Sequence, residues 1–326
     1  MTELSRDTLL IDAEAEAERI VTAMRRQLRT DLRRRGLVLG LSGGIDSSVC
    51  AALAARAIGP ERVFALFMPE NDSDPLSLEL GRSVATTFGI PSIIEDIGPT
   101  LAAMGCYRRR DDFIRQLVPE YGDGWACKMV IANALTGQGY AVSHLVVQDP
   151  AGDKRQLRLS AEVYQGIIAA TNMKQRTRKQ LEYYHADRLN YAVIGTPNRV
   201  EYDQGFFVKN GDGAADLKPI SHLYKSQVYQ LAAHLGVPAG ICNRAPTTDT
   251  WSLAQSQEEF YFSLPYERMD LALYGLNNQL DRAVTARAAG LTLDQLDAVW
   301  ADIERKRVAT AYLHLPPLLV ETSMAL

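Results

Sequence analysis

The chain predicts an α/β fold, a doubly wound and mostly parallel sheet flanked by helices. Three observations carry that reading. Short apolar runs of strand length recur at 37–41, 63–68, 91–95 and 191–195. Helical patterns alternate with them, as parallel strands require. A break of small residues, Ser42-Gly43-Gly44, falls at the first strand-to-helix junction, where such folds place their ligands.

Taken in order, 11–35 predicts a helix, with Ile20, Met24, Leu28 and Leu32 at four-residue spacing. Asp12, Glu14, Glu16 and Glu18 come early and Arg25, Arg26, Arg29 and Arg33 late, which suits the helix dipole. The run 37–41 is a strand, 46–56 an alanine-rich helix, and 63–68 a second strand ended by Pro69. A helix at 76–88 and a strand at 91–95 follow. Residues 106–160 interrupt this rhythm. They hold Arg108-Arg109-Arg110, expected to be solvated, a turn at 121–125, and two strands at 140–148 and 155–159 around Pro150-Ala151-Gly152-Asp153. This segment is read as an elaboration of a single domain spanning 1–326. Helical pattern resumes at 161–187, a strand follows at 191–195, and a helix at 225–235 is stopped by Gly236 and Pro238.

Composition narrows the class. With 47% hydrophobic and 23% charged residues, the 326-residue chain is ordinary for a soluble globular protein, which excludes disordered, collagen-like and disulfide-scaffold chains. A net charge of -4 argues against nucleic acid as main partner. Four scattered cysteines form no C-x-x-C pair, so they read as reduced thiols without zinc-site spacing. No apolar run approaches the ~18 residues of a membrane span, and the N-terminus carries no signal-peptide core. The expected location is therefore the cytoplasm, with neither membrane nor nucleic acid as partner.

The strongest local signal is Gly40-Leu41-Ser42-Gly43-Gly44-Ile45-Asp46-Ser47-Ser48. Adjacent glycines let backbone N–H groups approach an anion, and the following helix points its positive end at the same place. Ser42, Ser47 and Ser48 add hydroxyls, and Asp46 suits a cation that neutralises the anion. The loop looks built for a phosphate chain plus Mg²⁺. It is not a Walker A loop, because the chain has no Gly-Lys pair. Two other readings stay open on the loop alone. One is a plain glycine-rich turn. The other is the G-x-S-x-G elbow of serine hydrolases, with Ser42 as nucleophile and His222, His234 or His314 as its histidine.

Ser42-Gly43-Gly44-Ile45-Asp46-Ser47 resembles the S-G-G-x-D-S loop of the N-type ATP pyrophosphatases, which share an adenine nucleotide alpha hydrolase-like fold. Further motifs narrow the resemblance to the NAD synthetases, of the ammonia-dependent type. Asn172-Met173-Lys174-Gln175-Arg176-Thr177-Arg178 is similar to that family's N-x-K-x-R-x-R helix, and 195–201 to its G-T-x-N-x-x-E. Residues 205–219 are similar to its G-F-F-T-K-Y-G-D-G-G-A-D-x-x-P; Lys225, Pro246-Thr247 and Lys306-Arg307 follow in matching order. The resemblance covers roughly 1–100 and 160–310. It implies a homodimer that amidates nicotinic acid adenine dinucleotide (deamido-NAD) with ATP and ammonia. An acyl-adenylate forms first with release of pyrophosphate, and ammonia then displaces AMP.

The resemblance also implies roles. ATP would meet Ser42, Gly43, Gly44, Asp46, Ser47, Ser48, Thr196, Lys225 and Thr247, and Asp46, Glu201 and Thr247 would hold Mg²⁺. Asn172, Arg176, Tyr183, Lys209 and Asp212 would bind the dinucleotide. Asp212, Lys225 and Asp46 are the implied catalytic groups, with Asp212 near ammonia. Each has a plainer reading: an exposed loop acid for Asp46, a surface acid for Glu201, a solvent-facing helix lysine for Lys225, a turn for Gly211-Asp212-Gly213, core packing for Tyr183. The sequence departs from the pattern at Ile168, where the family often has an aromatic, at Arg244, and at Thr247-Thr248-Asp249-Thr250-Trp251. A paralogue amidating another carboxylate is therefore the alternative activity, and a nucleotide-binding module without turnover a non-enzymatic one. The loop begins near residue 40, so no glutaminase domain is expected before it; nitrogen would come from free ammonia or a separate glutaminase subunit.

Overall fold

The computed structural model describes residues 4–131, 143–247, 250–262 and 264–320. Helix α1 (Ala13–Arg26) starts on Asp12, whose side chain accepts from the Ala15 N–H. The chain then runs through β1 (Leu37–Gly40), α2 (Ile45–Ile58), β2 (Val63–Phe67), α3 (Pro75–Phe88) and β3 (Ser92–Ile94). After α4 (Gly98–Ala103) and α5 (Cys106–Arg115) come β4 (Ala126–Ile131), β5 (Ser143–Gln148) and β6 (Lys154–Arg158). The long α6 (Ala161–Leu189) leads to β7 (Ala192–Val193) and the short α7 (Arg199–Gln204). Then follow α8 (Lys225–Leu235), α9 (Ala239–Cys242), α10 (Tyr266–Asn277), α11 (Arg282–Ala289) and α12 (Leu293–His314).

The main sheet has the order β3-β2-β1-β7, and all its pairs are parallel. The chain steps outward from β1 to β2 to β3, then returns to the other side of β1. That reversal makes the crevice beyond β1 the topological switch point, the usual ligand site of such a sheet. Successive residues of β1 serve opposite faces. Leu37 and Leu39 join Met24, Val49 and Leu231 in one apolar cluster, while Val38 joins Leu66, Leu101 and Val193 in another. Burial on both faces explains why β1 and β2 read as continuous apolar runs. The strand expected at 191–195 is shorter than its pattern; Ile194 makes only an isolated bridge to Leu217.

The segment 106–160 holds more structure than the two expected strands. β4, β5 and β6 form a three-stranded antiparallel sheet, and β4 is the strand missing from the sequence reading. Cys127, Met129, Leu145 and Val147 alternate onto one buried face and pack with Ile114, Val163 and Ile167. The part of the expected first strand at 140–142 lies outside the described residues. Arg108 and Arg109 are exposed, but Arg110 is not solvated as expected. Its guanidinium pairs with Asp72 at 2.5 Å and Asp111 at 2.9 Å, because α5 packs along α6 and turns that side chain inward. The last three helices, for which the sequence pattern supplied no secondary-structure expectation, enclose their own apolar cluster with Leu273, Leu296 and Ile303. Among the described residues no helix is long and apolar enough to cross a membrane.

Candidate active site

The site is built outward from the carboxyl end of β1. Gly43 sits at φ 75°, and a Cβ there would come within 2.5 Å of the Ser77 carbonyl oxygen, so only glycine fits. Gly44 begins α2 without a side-chain cap, which leaves first-turn amides for an anion. Ser42 is exposed and its Oγ lies 3.1 Å from Ser47 Oγ. Ser48 departs from the ATP-binding expectation. It is fully buried, donates its hydroxyl to the Gly44 carbonyl at 2.8 Å, and does not line the cleft.

Beneath the loop lies a buried charge cluster. Lys225, the first residue of α8, is fully buried, and its Nζ donates to Asp46 Oδ2 at 2.5 Å. Asn198 Nδ2 donates to the other Asp46 oxygen at 3.1 Å. Asn198 and Glu201 form a reciprocal capping box at the start of α7, with the Asn198 N–H donating to Glu201 Oε2. Glu201 is thereby held in the same cleft, and burial and the nearby Asp46 push its carboxyl well up. Burial alone would lower the Lys225 ammonium, but Asp46 and Glu201 hold it above its ordinary value. Asp270 of α10 accepts from the Lys225 and Ser226 N–H groups and so fixes the start of α8.

Two carboxylates here share one cation, Lys225, which is the donor chemistry a hard divalent ion completes. Among the described residues no group of three or more His, Cys, Asp and Glu forms a self-sufficient metal cage. Mg²⁺ characteristically takes one or two carboxylates and completes its shell with substrate phosphate and water, so the residues present fit it. Thr196 and Thr247 line the same cleft. Thr248 and Asp249, part of the divergent segment after Pro246, lie outside the described residues.

The side expected to hold the dinucleotide is arranged differently. Asn172 and Arg176 both line the cleft from one face of α6. Arg176 Nε donates to the Lys209 carbonyl at 3.2 Å. The Lys209 ammonium is occupied; it donates to the carbonyls of Tyr312 at 2.6 Å and Leu315 at 3.1 Å, at the negative end of α12. Asp212 is partly buried and accepts from the Val208 N–H at 2.7 Å; burial raises its carboxyl. Tyr183 stands apart from the residues that line the cleft. Its ring packs beside the Val38 cluster and its hydroxyl donates to Asp216 at 3.3 Å.

Several groups in and behind the cleft wall were given no role from the sequence. Lys179 and Glu182 form a buried pair at 2.6 Å in the cleft wall. Lys174 joins Glu70, Asp72 and the Thr250 carbonyl in a buried network. Asn198 did carry a signal, since Asn followed three residues later by Glu is the spacing of a capping box. The hydrolase reading of Ser42 finds no partner among the described residues. His222 and His234 pair with Glu16 and Glu14, neither lines the cleft, and His314 stacks edge-on against Tyr202 and Phe207.

The cleft as a whole has a volume of ≈ 1030 Å³ and runs from the loop to α12. A switch-point crevice with an uncapped helix start above a carboxylate–lysine cluster defines an adenine-nucleotide-binding α/β protein of the N-type ATP pyrophosphatase kind. Within that class the NAD synthase family matches residues 16–118 and 150–308, and the chain belongs to that family. It is 70% identical over 317 residues to an NH(3)-dependent NAD(+) synthetase of Rhizobium meliloti (strain 1021), covering 97% of this chain and 95% of that protein. Among solved structures it is similar to an NMN synthetase from Francisella tularensis, with TM-score 0.64, 21% identity, and 96% and 100% of the two chains covered. An NH3-dependent NAD synthetase from Campylobacter jejuni subsp. jejuni NCTC 11168 gives TM-score 0.58 and 22% identity, with 95% and 100% covered. At those identities the structural likeness shows the fold alone.

Proposed function

We propose that the chain is an ammonia-dependent NAD synthetase, a ligase that amidates deamido-NAD to NAD at the expense of ATP. The observation that carries this reading is 70% identity over nearly the whole chain to an NH(3)-dependent NAD(+) synthetase. The substrate carboxylate attacks the α-phosphorus of ATP; an O–P bond forms and pyrophosphate leaves. Lys225 and the first-turn amides of α2 oppose the charge that gathers on the leaving phosphates. Asp46, Glu201 and Thr247 would hold Mg²⁺, which when bound neutralises phosphate charge. Ser42, Gly43, Gly44, Ser47 and Thr196 would position the nucleotide. Asn172 and Arg176 would hold the acid substrate. In the second half, ammonia adds to the acyl carbon, the C–O bond to AMP breaks, and the amide forms. Asp212 takes the proton that ammonium must lose before its nitrogen is nucleophilic; burial makes its carboxylate a stronger base.

In this reading the enzyme works as a cytoplasmic homodimer of one-domain subunits, fed by free ammonia or a separate glutaminase subunit. The test is a substrate panel with pyrophosphate and AMP readouts, run with ammonium and with glutamine. Deamido-NAD with ammonium is expected to give equal amounts of pyrophosphate and AMP, dependent on Mg²⁺. Turnover of another acid in its place would establish the paralogue.

A further inference from the structure

Residues 119–149 fall outside the stretches matched to the family, yet Met129, Val130, Ile131 and Ser143 line the same cleft as the glycine–serine loop. The inserted strand β4 is fastened in place there. Its Cys127 N–H donates to Ser252 Oγ at 2.8 Å, and its Cys127 carbonyl accepts from the Leu253 N–H at 3.1 Å. Gln255 Nε2 donates to the Met129 carbonyl. These bonds run to the segment just beyond Thr250, whose own carbonyl is held by Lys174. The insertion is therefore part of the cleft wall.

Helix α6 supplies the adjoining wall. Tyr164, Ile168, Asn172 and Arg176 follow at four-residue steps, and all four line the cleft. At about 1.5 Å per residue, Ile168 lies about 6 Å and Tyr164 about 12 Å along the helix from Asn172. The stripe changes from polar to apolar over that distance, and Ile168 packs in the same apolar cluster as Met129. We propose that Ile131 of β4 and Tyr164 of α6 form a subsite for an aromatic ring of the acid-bearing substrate, so that the insertion sets specificity for that substrate.

This rests on the reading of Asn172 and Arg176 as the groups that hold the acid. The triphosphate belongs beside the start of α2 and Lys225, whereas the apolar stretch continues the Asn172 stripe. A cleft of ≈ 1030 Å³ stands at the top of the range of about 300–1,000 Å³ usual for one ligand, so two can be accommodated side by side. A flat ring between an aliphatic wall and a tyrosine is held by burial of its faces.

The test uses the full chain with Ile131→Glu, Ile131→Leu and Tyr164→Ala, varying each substrate separately. A carboxylate set in the apolar wall is expected to raise KM for deamido-NAD about tenfold or more. Tyr164→Ala is expected to raise it about threefold or more, and Ile131→Leu to restore it. KM for ATP and kcat should stay within about twofold throughout. A rise in KM for ATP instead would place the adenine ring there and overturn the proposal. A lowered melting temperature with both KM values unchanged would also overturn it, leaving the insertion a purely structural role. If Ile131→Glu fails to fold, Tyr164→Ala, at a residue 37% exposed, carries the test. If the wild type ignores deamido-NAD and amidates another acid, the functional reading fails. KM for that acid then becomes the readout, with the same outcomes supporting or overturning the subsite.

Discussion

The two ends of the cleft are prepared in opposite ways. At the loop end, Asp46, Lys225, Asn198 and Glu201 already hold one another in buried contacts, and an open helix start stands above them. At the other end the polar groups are turned to internal tasks. Lys209 holds the end of α12, Arg176 holds the Lys209 carbonyl, and Tyr183 lies outside the cleft. The difference teaches where ligand binding must reorganise the protein. A nucleotide's phosphates meet a preset electrostatic frame, which needs no rearrangement as charge develops. If Arg176 and Lys209 hold the second substrate as the family resemblance implies, they exchange these internal bonds for bonds to the ligand.

Lys225→Met is expected to break this contrast most severely. It leaves Asp46 and Glu201 buried without their cation, a change that costs about 3–5 kcal/mol of folding stability. Urea unfolding reads that loss. Turnover, read as pyrophosphate release, should fall by about 10²–10³-fold. Because Lys225 is fully buried, Lys225→Arg has no room to restore the pair. Stability near wild type in Lys225→Met would mean that the loop end is no more prearranged than the other.

Asp212→Asn should separate the two half-reactions. The Asn side-chain oxygen still accepts from the Val208 N–H, so the fold persists. Exchange of pyrophosphate into ATP is expected to stay within about threefold, while amide formation falls by about 10²-fold. Burial raises the Asp212 carboxyl, so its basic form develops later as pH rises. The wild-type amide rate should therefore climb through that range, and the climb should vanish in Asp212→Asn. An equal fall in both half-reactions would remove Asp212 from the ammonia step.

The loop end was legible in the sequence because its chemistry is local. Two adjacent glycines and the start of a helix within nine residues predict a tight turn into α2, and the structure has Gly43 at positive φ with Gly44 at the uncapped helix start. The main sheet was legible for the same reason, since strands buried on both faces leave continuous apolar runs such as Val63–Phe67. What could not be read depends on partners far away in the chain. Arg110 looks like one of three solvated arginines until Asp72, 38 positions away, is folded against it. Lys209 looks free until Tyr312 of α12, 103 positions later, is folded against it. β4 was missed because Cys127 and Met129 alternate over only a few residues, and their face is defined by α5 and α6.

A smaller effect sharpens the view of the frame itself. Asp270 is fully buried, and burial pushes its carboxyl up to about 6. The folded state therefore binds that proton more tightly than the unfolded chain does. Stability contributed by this group is greatest below about pH 4, falls as pH rises, and levels off above about pH 6. The full change is about 3 kcal/mol. Asp270→Asn removes this titration but keeps one acceptor for α8. Relative to wild type, the variant should gain by about that amount between pH 4 and pH 7 in urea unfolding. A constant difference across that range would show that Asp270 stays ionised at the start of α8.

The smallest expected effect belongs to Tyr183→Phe, and it bears on where the second substrate ends. The tyrosine hydroxyl makes one bond to Asp216, at 3.3 Å, which is near the limit of a hydrogen bond. Asp216 has a better partner in the Val193 N–H, at 2.7 Å, and keeps it in the variant. Loss of the hydroxyl is therefore expected to cost about 0.5–1 kcal/mol of stability and to change KM for deamido-NAD by less than about twofold. The ring remains packed beside the Val38 cluster in either case. A tenfold rise in that KM would mean that the hydroxyl touches the substrate after all. The dinucleotide would then extend past the cleft described here and over the Asp216 edge of the sheet, and the contrast between the two ends would need a third region.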